Sequence, residues 1–230
     1  MMKNICLVTM LAILLVSTGA CKKAVTVNNT VTDSITMKLN DFASFTLAAD
    51  LSHLTDNEKK MIPLMIQAAD IMNELFWLEA YGNKDSLFAK LKSDNAIELA
   101  KIHYGPWDRM NGNAPLFDGF GEKFPGANFY PEDMTLDEFE QFGDAAKKSL
   151  YTIIGRDEQG KLVVIPYHKA FAEYVQKASA LIDEASRLAD DPGLKKYLEL
   201  RSKAMLNDEY RESDMAWMDM KTNRIDFVDY

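Results

Sequence analysis

A mainly α-helical fold with a small antiparallel β element, in the α+β class, is predicted for this chain by three features. The first is a pair of β-prone runs, residues 150–154 and 162–165, separated by Gly155-Arg156-Asp157-Glu158-Gln159-Gly160-Lys161. Glycines around a polar connector between β-branched runs predict a hairpin whose loop exceeds two residues. The second is a helical stripe directly behind it. Pro166 closes the second strand, and Phe171, Tyr174, Val175, Ala178, Leu181, Ile182, Ala185 and Leu188 then recur on one face from Tyr167 onward. The third is a pair of capping boxes, Thr55-Asp56-Asn57-Glu58 and Thr135-Leu136-Asp137-Glu138.

The first twenty residues read as a leader and not as part of the fold. Lys3 is followed by an apolar run over 5–16, which is of signal-peptide length and short of the ~20 residues a membrane span needs. Small residues 17–20 lead into Cys21, an arrangement similar to a bacterial lipoprotein box in which the cysteine is lipidated. Thr18 stands where that box carries an aliphatic residue, and an ordinary secretory signal with an incidental cysteine is the alternative. Cys6 is the only other cysteine and lies in the leader, so the mature chain is expected to hold without disulfides. Residues 21–40, polar and without a sustained period, are expected to be a tether. Residues 41–230 are expected to form the helical domain.

The whole chain is 47% hydrophobic and holds 12 Phe, ample material for a core. Lys3 is the only charge in the leader, so its removal takes the net charge from −9 to −10. That balance argues against nucleic acid or an anionic membrane surface as a partner. The expected partners are a membrane lipid through Cys21 and a peptide.

Taken in order, residues 41–50 predict a short helix carrying Phe42, Phe45 and Leu47. The box at Thr55 opens a helix that keeps Met61, Met65, Ala68, Met72, Leu75, Phe76 and Glu79 on one stripe up to Tyr81-Gly82. Pro63 must kink this helix or mark its true start. Shorter helices are expected over 85–92 and 94–103. Residues 104–131, with five Gly and four Pro among many aromatics, predict an ordered strap wrapped on the surface. The box at Thr135 predicts a helix to Lys148, whose end Lys147 and Lys148 complement. Asp190-Asp191-Pro192-Gly193 is a stop, and residues 194–205 form the next helix. Trp217 and Met218 are expected core anchors, and the alternation from Arg224 to Tyr230 predicts a C-terminal strand.

No catalytic or metal motif is present. His53, His103 and His168 have no partner at metal-ligand spacing, and no nucleophile elbow, phosphate loop or dinucleotide fingerprint occurs. His168 reads as a partly exposed first-turn residue.

Three strings carry a resemblance: Ile102-His103-Tyr104-Gly105-Pro106-Trp107-Asp108-Arg109, Gly126-Ala127-Asn128-Phe129-Tyr130-Pro131-Glu132-Asp133-Met134-Thr135 and Ile165-Pro166-Tyr167-His168-Lys169-Ala170-Phe171. From residue 41 onward the chain resembles the N-terminal half of bacterial exported proteins related to the dipeptidyl-peptidase III zinc metallopeptidases. The resemblance implies a larger, two-lobed peptidase whose zinc is held by a His-Glu helix motif and a further Glu. That motif is absent from this sequence, so no catalytic residue and no metal ligand carry over, and no cofactor is expected in this chain. The closing residues resemble the approach to a substrate-contacting strand, which makes Asp229 and Tyr230 cleft candidates. Trp107, Asp108, Arg109 and Asn111 are cleft candidates from the strap, with loop packing as their ordinary use. Two functions follow: the non-catalytic N-terminal portion of a peptidase-like hydrolase, inactive alone, or a self-sufficient, non-enzymatic helical lipoprotein that binds a peptide or protein.

Overall fold

The computed structural model describes residues 33–228; the leader, Cys21, most of the expected tether, Asp229 and Tyr230 lie outside them. Nine α-helices and two separate two-stranded antiparallel hairpins make up the described part. None of these helices is long and apolar enough to cross a membrane.

The longest helix is where its cap predicts. Thr55 Oγ1 accepts from Glu58 N at 3.1 Å and Glu58 Oε2 accepts from Thr55 N at 2.8 Å, closing the box that starts α2 (Asp56–Ala80). Pro63 neither starts nor ends this helix but lies within it. Met61, Met65 and Ala68 are buried against Ala178, Ile182 and Ala185 of α7 (Ala172–Leu188), and Leu194, Tyr197 and Leu198 of α8 (Pro192–Ala204) complete the main core. Asp191 caps α8 by accepting from Leu194 N at 2.8 Å. The Asp190 carboxylate accepts from Thr55 Oγ1 at 2.6 Å, which ties the start of α2 to the turn between α7 and α8. α9 (Arg211–Asp219) covers the end of α8, with Ala216 in the core.

A second core forms where α2 ends. Trp77, Leu87, Ala96, Leu99, Ala100 and Phe117 bring together α2, α3 (Lys84–Phe88), α4 (Asp94–His103) and the strap. The strap contains one short hairpin that the sequence did not announce, β1 (Trp107–Asp108) with β2 (Ala114–Pro115), and a 3₁₀ turn at Ala127–Phe129. The expected hairpin pairs β3 (Thr152–Arg156) with β4 (Leu162–Pro166), in the register Ile154↔Val164. Gly155 belongs to the strand and not to the loop; a Cβ there would lie 3.1 Å from Ile165 Cδ1.

Several expectations are corrected. α1 (Ser34–Leu39) is helical although it falls in the expected tether, and Ile35 packs on the second core. Residues 41–50 are not helical: Phe45 is 84% exposed and Leu47 95%, so nothing rewards the ordering of a helix there. α5 ends at Gln141 (Leu136–Gln141) and a separate 3₁₀ turn covers Ala145–Lys148. The Glu138 carboxylate that would close the Thr135 box is bound instead by both terminal nitrogens of Arg156, at 2.7 and 2.9 Å. Lys147 does complement the end of α5, donating to the carbonyls of Phe139, Glu140 and Phe142.

The helix behind the hairpin is broken at Phe171 (φ −118°, ψ 29°) into α6 (Tyr167–Ala170) and α7. The Asp208 carboxylate accepts from His168 N at 3.1 Å and meets His168 Nδ1 at 2.7 Å, which anchors the short piece to the α8–α9 connection. Trp217 and Met218 are 41% and 61% exposed, and small Ser213 and Ala216 hold the core-facing positions of α9 instead. Residues 224–228 form no strand pairing; Ile225 and Phe227 lean on the main core as an irregular segment.

Candidate functional site

The strap is built on α4 and folds back over the end of α2. α4 ends on Tyr104, whose left-handed backbone (φ 51°) turns the chain into Gly105. Gly105 has φ +154°, and a Cβ there would meet the Trp107 ring at 3.2 Å, so glycine is required for this close approach. Trp107 Nε1 then donates to Gly121 O at 2.9 Å, fastening the two arms of the strap to each other. Asn128 Nδ2 donates to Leu78 O at 2.6 Å and fastens the far arm to α2.

Between strap and helix lies a cavity of about 170 Å³, walled by Phe76, Glu79 and Ala80 of α2, by His103 and Tyr104, and by Trp107, Arg109, Lys123, Ala127 and Phe129 of the strap. A second cavity of about 440 Å³ shares Phe76 and Glu79 with it and is lined chiefly by aromatic and apolar side chains, among them Tyr151, Tyr167 and Phe171. Glu79 therefore stands in the wall common to both.

The charges here are unusual. Burial pushes the Glu79 carboxyl up to about 7, with no cation offsetting it. Burial also pushes the Tyr167 phenol up, helped by the nearby Glu79 carboxylate. The Arg109 guanidinium lies over the rings of Phe76 (5.3 Å) and Tyr104 (5.9 Å), and Lys123 lies over Trp107 (5.8 Å). Burial pushes the Lys123 ammonium down, and the charge of Arg109 adds to that.

The four strap candidates divide by role. Trp107 and Arg109 line the cavity. Asp108 does not; its carboxylate accepts from Lys38 Nζ at 3.1 Å and from Met110 N at 3.2 Å, and its carbonyl accepts from Asn111 N and Asn113 N. Burial opposes its ionisation, but the Lys38 ammonium and the Met110 amide hold it below the usual carboxylate value. Asn111 is exposed in the turn that Asp108 organises. Glu79, Lys123 and Tyr104 were missed as site residues. One signal for Glu79 was in the sequence: a carboxylate on the apolar stripe of α2.

Burial pushes the His103 imidazole down, and its Nδ1 accepts from Arg109 N at 3.1 Å, so the neutral ring positions the strap. Among the described residues, no three His, Cys, Asp or Glu side chains come together in a metal-binding group.

Comparison with solved structures gives the relationship. The chain matches DPP III from Caldithrix abyssi with a TM-score of 0.76 and 38% identity, over 81% of this chain and 38% of that one. This chain is related to the dipeptidyl-peptidase III proteins. The dipeptidyl-peptidase III from Corallococcus sp. strain EGB gives a TM-score of 0.73 and 28% identity over the same shares, 81% and 38%. The chain thus spans well under half the length of these dipeptidyl-peptidase III relatives. Among curated proteins, Nudix hydrolase 3 of Arabidopsis thaliana is 27% identical over 249 residues, 81% of this chain and 32% of that protein. No family model matches the chain.

Proposed function

We propose that this chain is the N-terminal, non-catalytic portion of an exported, zinc-dependent dipeptidyl-peptidase III-like hydrolase. It supplies scaffold and part of a substrate-cleft wall. The observation that carries the reading is the 38% identity to a dipeptidyl-peptidase III at a TM-score of 0.76, sustained over 81% of this chain but only 38% of that protein. The leader and Cys21 support export and lipid anchoring in the cell envelope.

The described residues do not fit a zinc site. His103 uses Nδ1 to accept from the Arg109 amide, His168 uses Nδ1 on Asp208, and the exposed His53 joins no cluster of three potential ligands among the described residues. No step of a zinc mechanism is assigned to these histidines. Zinc, where a full-length relative carries it, would polarise a peptide carbonyl and activate water.

The test is a zinc titration and a hydrolysis assay with a chromogenic dipeptidyl substrate on purified residues 22–230. The expected result is neither stoichiometric zinc nor turnover. Tight binding of one zinc per chain, or release of dipeptide, would contradict the non-catalytic assignment.

A further inference from the structure

Three charged side chains of both signs line the 170 Å³ cavity: Glu79, Arg109 and Lys123. No side-chain hydrogen bond or ion pair joins any of them to another described residue. Arg109 is exposed, but Glu79 and Lys123 are half-buried, and half-buried charges without an ionic partner form a pattern that needs a reason. The two cations are held in place by aromatic rings, Arg109 over Phe76 and Tyr104 and Lys123 over Trp107. Arg109 and Lys123 come from the strap and Glu79 from α2, so charges of both signs line one cavity whose other walls are largely aromatic and apolar.

We propose that this cavity binds a small zwitterion, an α-amino acid with an apolar side chain. Arg109 and Lys123 take its carboxylate and Glu79 takes its ammonium. A guanidinium beside an ammonium is suited to a carboxylate, which Arg can grip with two parallel hydrogen bonds. A ligand that is only an anion leaves Glu79 uncompensated, and one that is only a cation meets Arg109 and Lys123. Charges of both signs thus select a ligand that carries both. The volume, below the ~300–1,000 Å³ of drug-sized sites, restricts the ligand to about one residue. The inference stands apart from the peptidase reading, because every residue it uses belongs to this chain.

The experiment is calorimetric titration of the full chain at pH 8 with L-phenylalanine, with phenethylamine, which lacks the carboxylate, and with 3-phenylpropionate, which lacks the ammonium. L-phenylalanine is expected to bind at one site per chain, about tenfold tighter than either analogue. Arg109→Gln should weaken L-phenylalanine about tenfold and leave phenethylamine unchanged, while Glu79→Gln should weaken it similarly and leave 3-phenylpropionate unchanged. Thermal melts establish that each variant is folded, and Lys123→Gln replaces Arg109→Gln if that variant is not. Absence of saturable heat up to about 20 mM L-phenylalanine, equal affinity for the three ligands, or folded variants that bind like the parent would each overturn the proposal.

Discussion

Glu79 holds the proton that its position favours. Its carboxyl ordinarily titrates at 4.5 and is pushed up to about 7 by burial, so between these values the folded chain binds a proton that the unfolded chain has lost. Stability contributed by the neutral form is therefore complete at low pH and is lost as pH rises through 7. Glu79→Gln keeps the shape and removes the charge. It should leave the midpoint of urea unfolding unchanged at pH 4.5 and raise stability by on the order of 1–2 kcal/mol at pH 8, the half-exposed position limiting the gain. Equal effects at both pH values would show that burial does not govern this carboxyl. Thr55 acts at the same scale through two contacts, the cap to Glu58 N and the bond from its hydroxyl to Asp190. Thr55→Ala should cost about 1–2 kcal/mol, read from chemical denaturation.

Among the elements, α2 carries the most. Its 25 residues reach from the main core to the second core, and Pro63 lies inside it without an N–H to donate. Pro63 is exposed, so Pro63→Ala restores a backbone donor without disturbing packing. It should raise stability by about 1–3 kcal/mol in thermal melts, and a loss would mean that the proline geometry is itself required. Ile182 is fully buried between α2 and α8, and Ile182→Ala should cost about 2–5 kcal/mol.

The elements also show what the sequence made legible. α4 begins and ends where Ser93 and His103 predict, and α2, α8 and the β3–β4 hairpin are in place, because caps, prolines and period act locally. What failed depended on distant partners. Arg156 takes the Glu138 carboxylate across the chain, Asp208 holds the piece of helix ahead of Phe171, and of residues 41–50 only Phe42 packs on the second core while 43–50 are exposed. Trp217 and Met218 were misplaced because α9 turns its small residues inward, a choice set by the closeness of α8. Trp107 and Arg109, singled out through the strap's composition, line the cavity. Lys123 gave no local signal, since only the folding of the strap brings it to Arg109.

At the scale of the whole molecule, two cores joined by α2 form a unit that recurs in dipeptidyl-peptidase III structures at TM-scores of 0.73–0.76, within proteins more than twice as long. In the role proposed above, scaffold and cleft wall, this unit should be able to stand in for its counterpart in such a protein. An exchange tests that most directly: the matching segment of the Caldithrix abyssi DPP III is replaced by residues 33–228, and dipeptide release is measured. The expected result is a folded chimera whose kcat/KM falls within about a hundredfold of the parent enzyme. A chimera that folds and melts cooperatively but releases no dipeptide would contradict it.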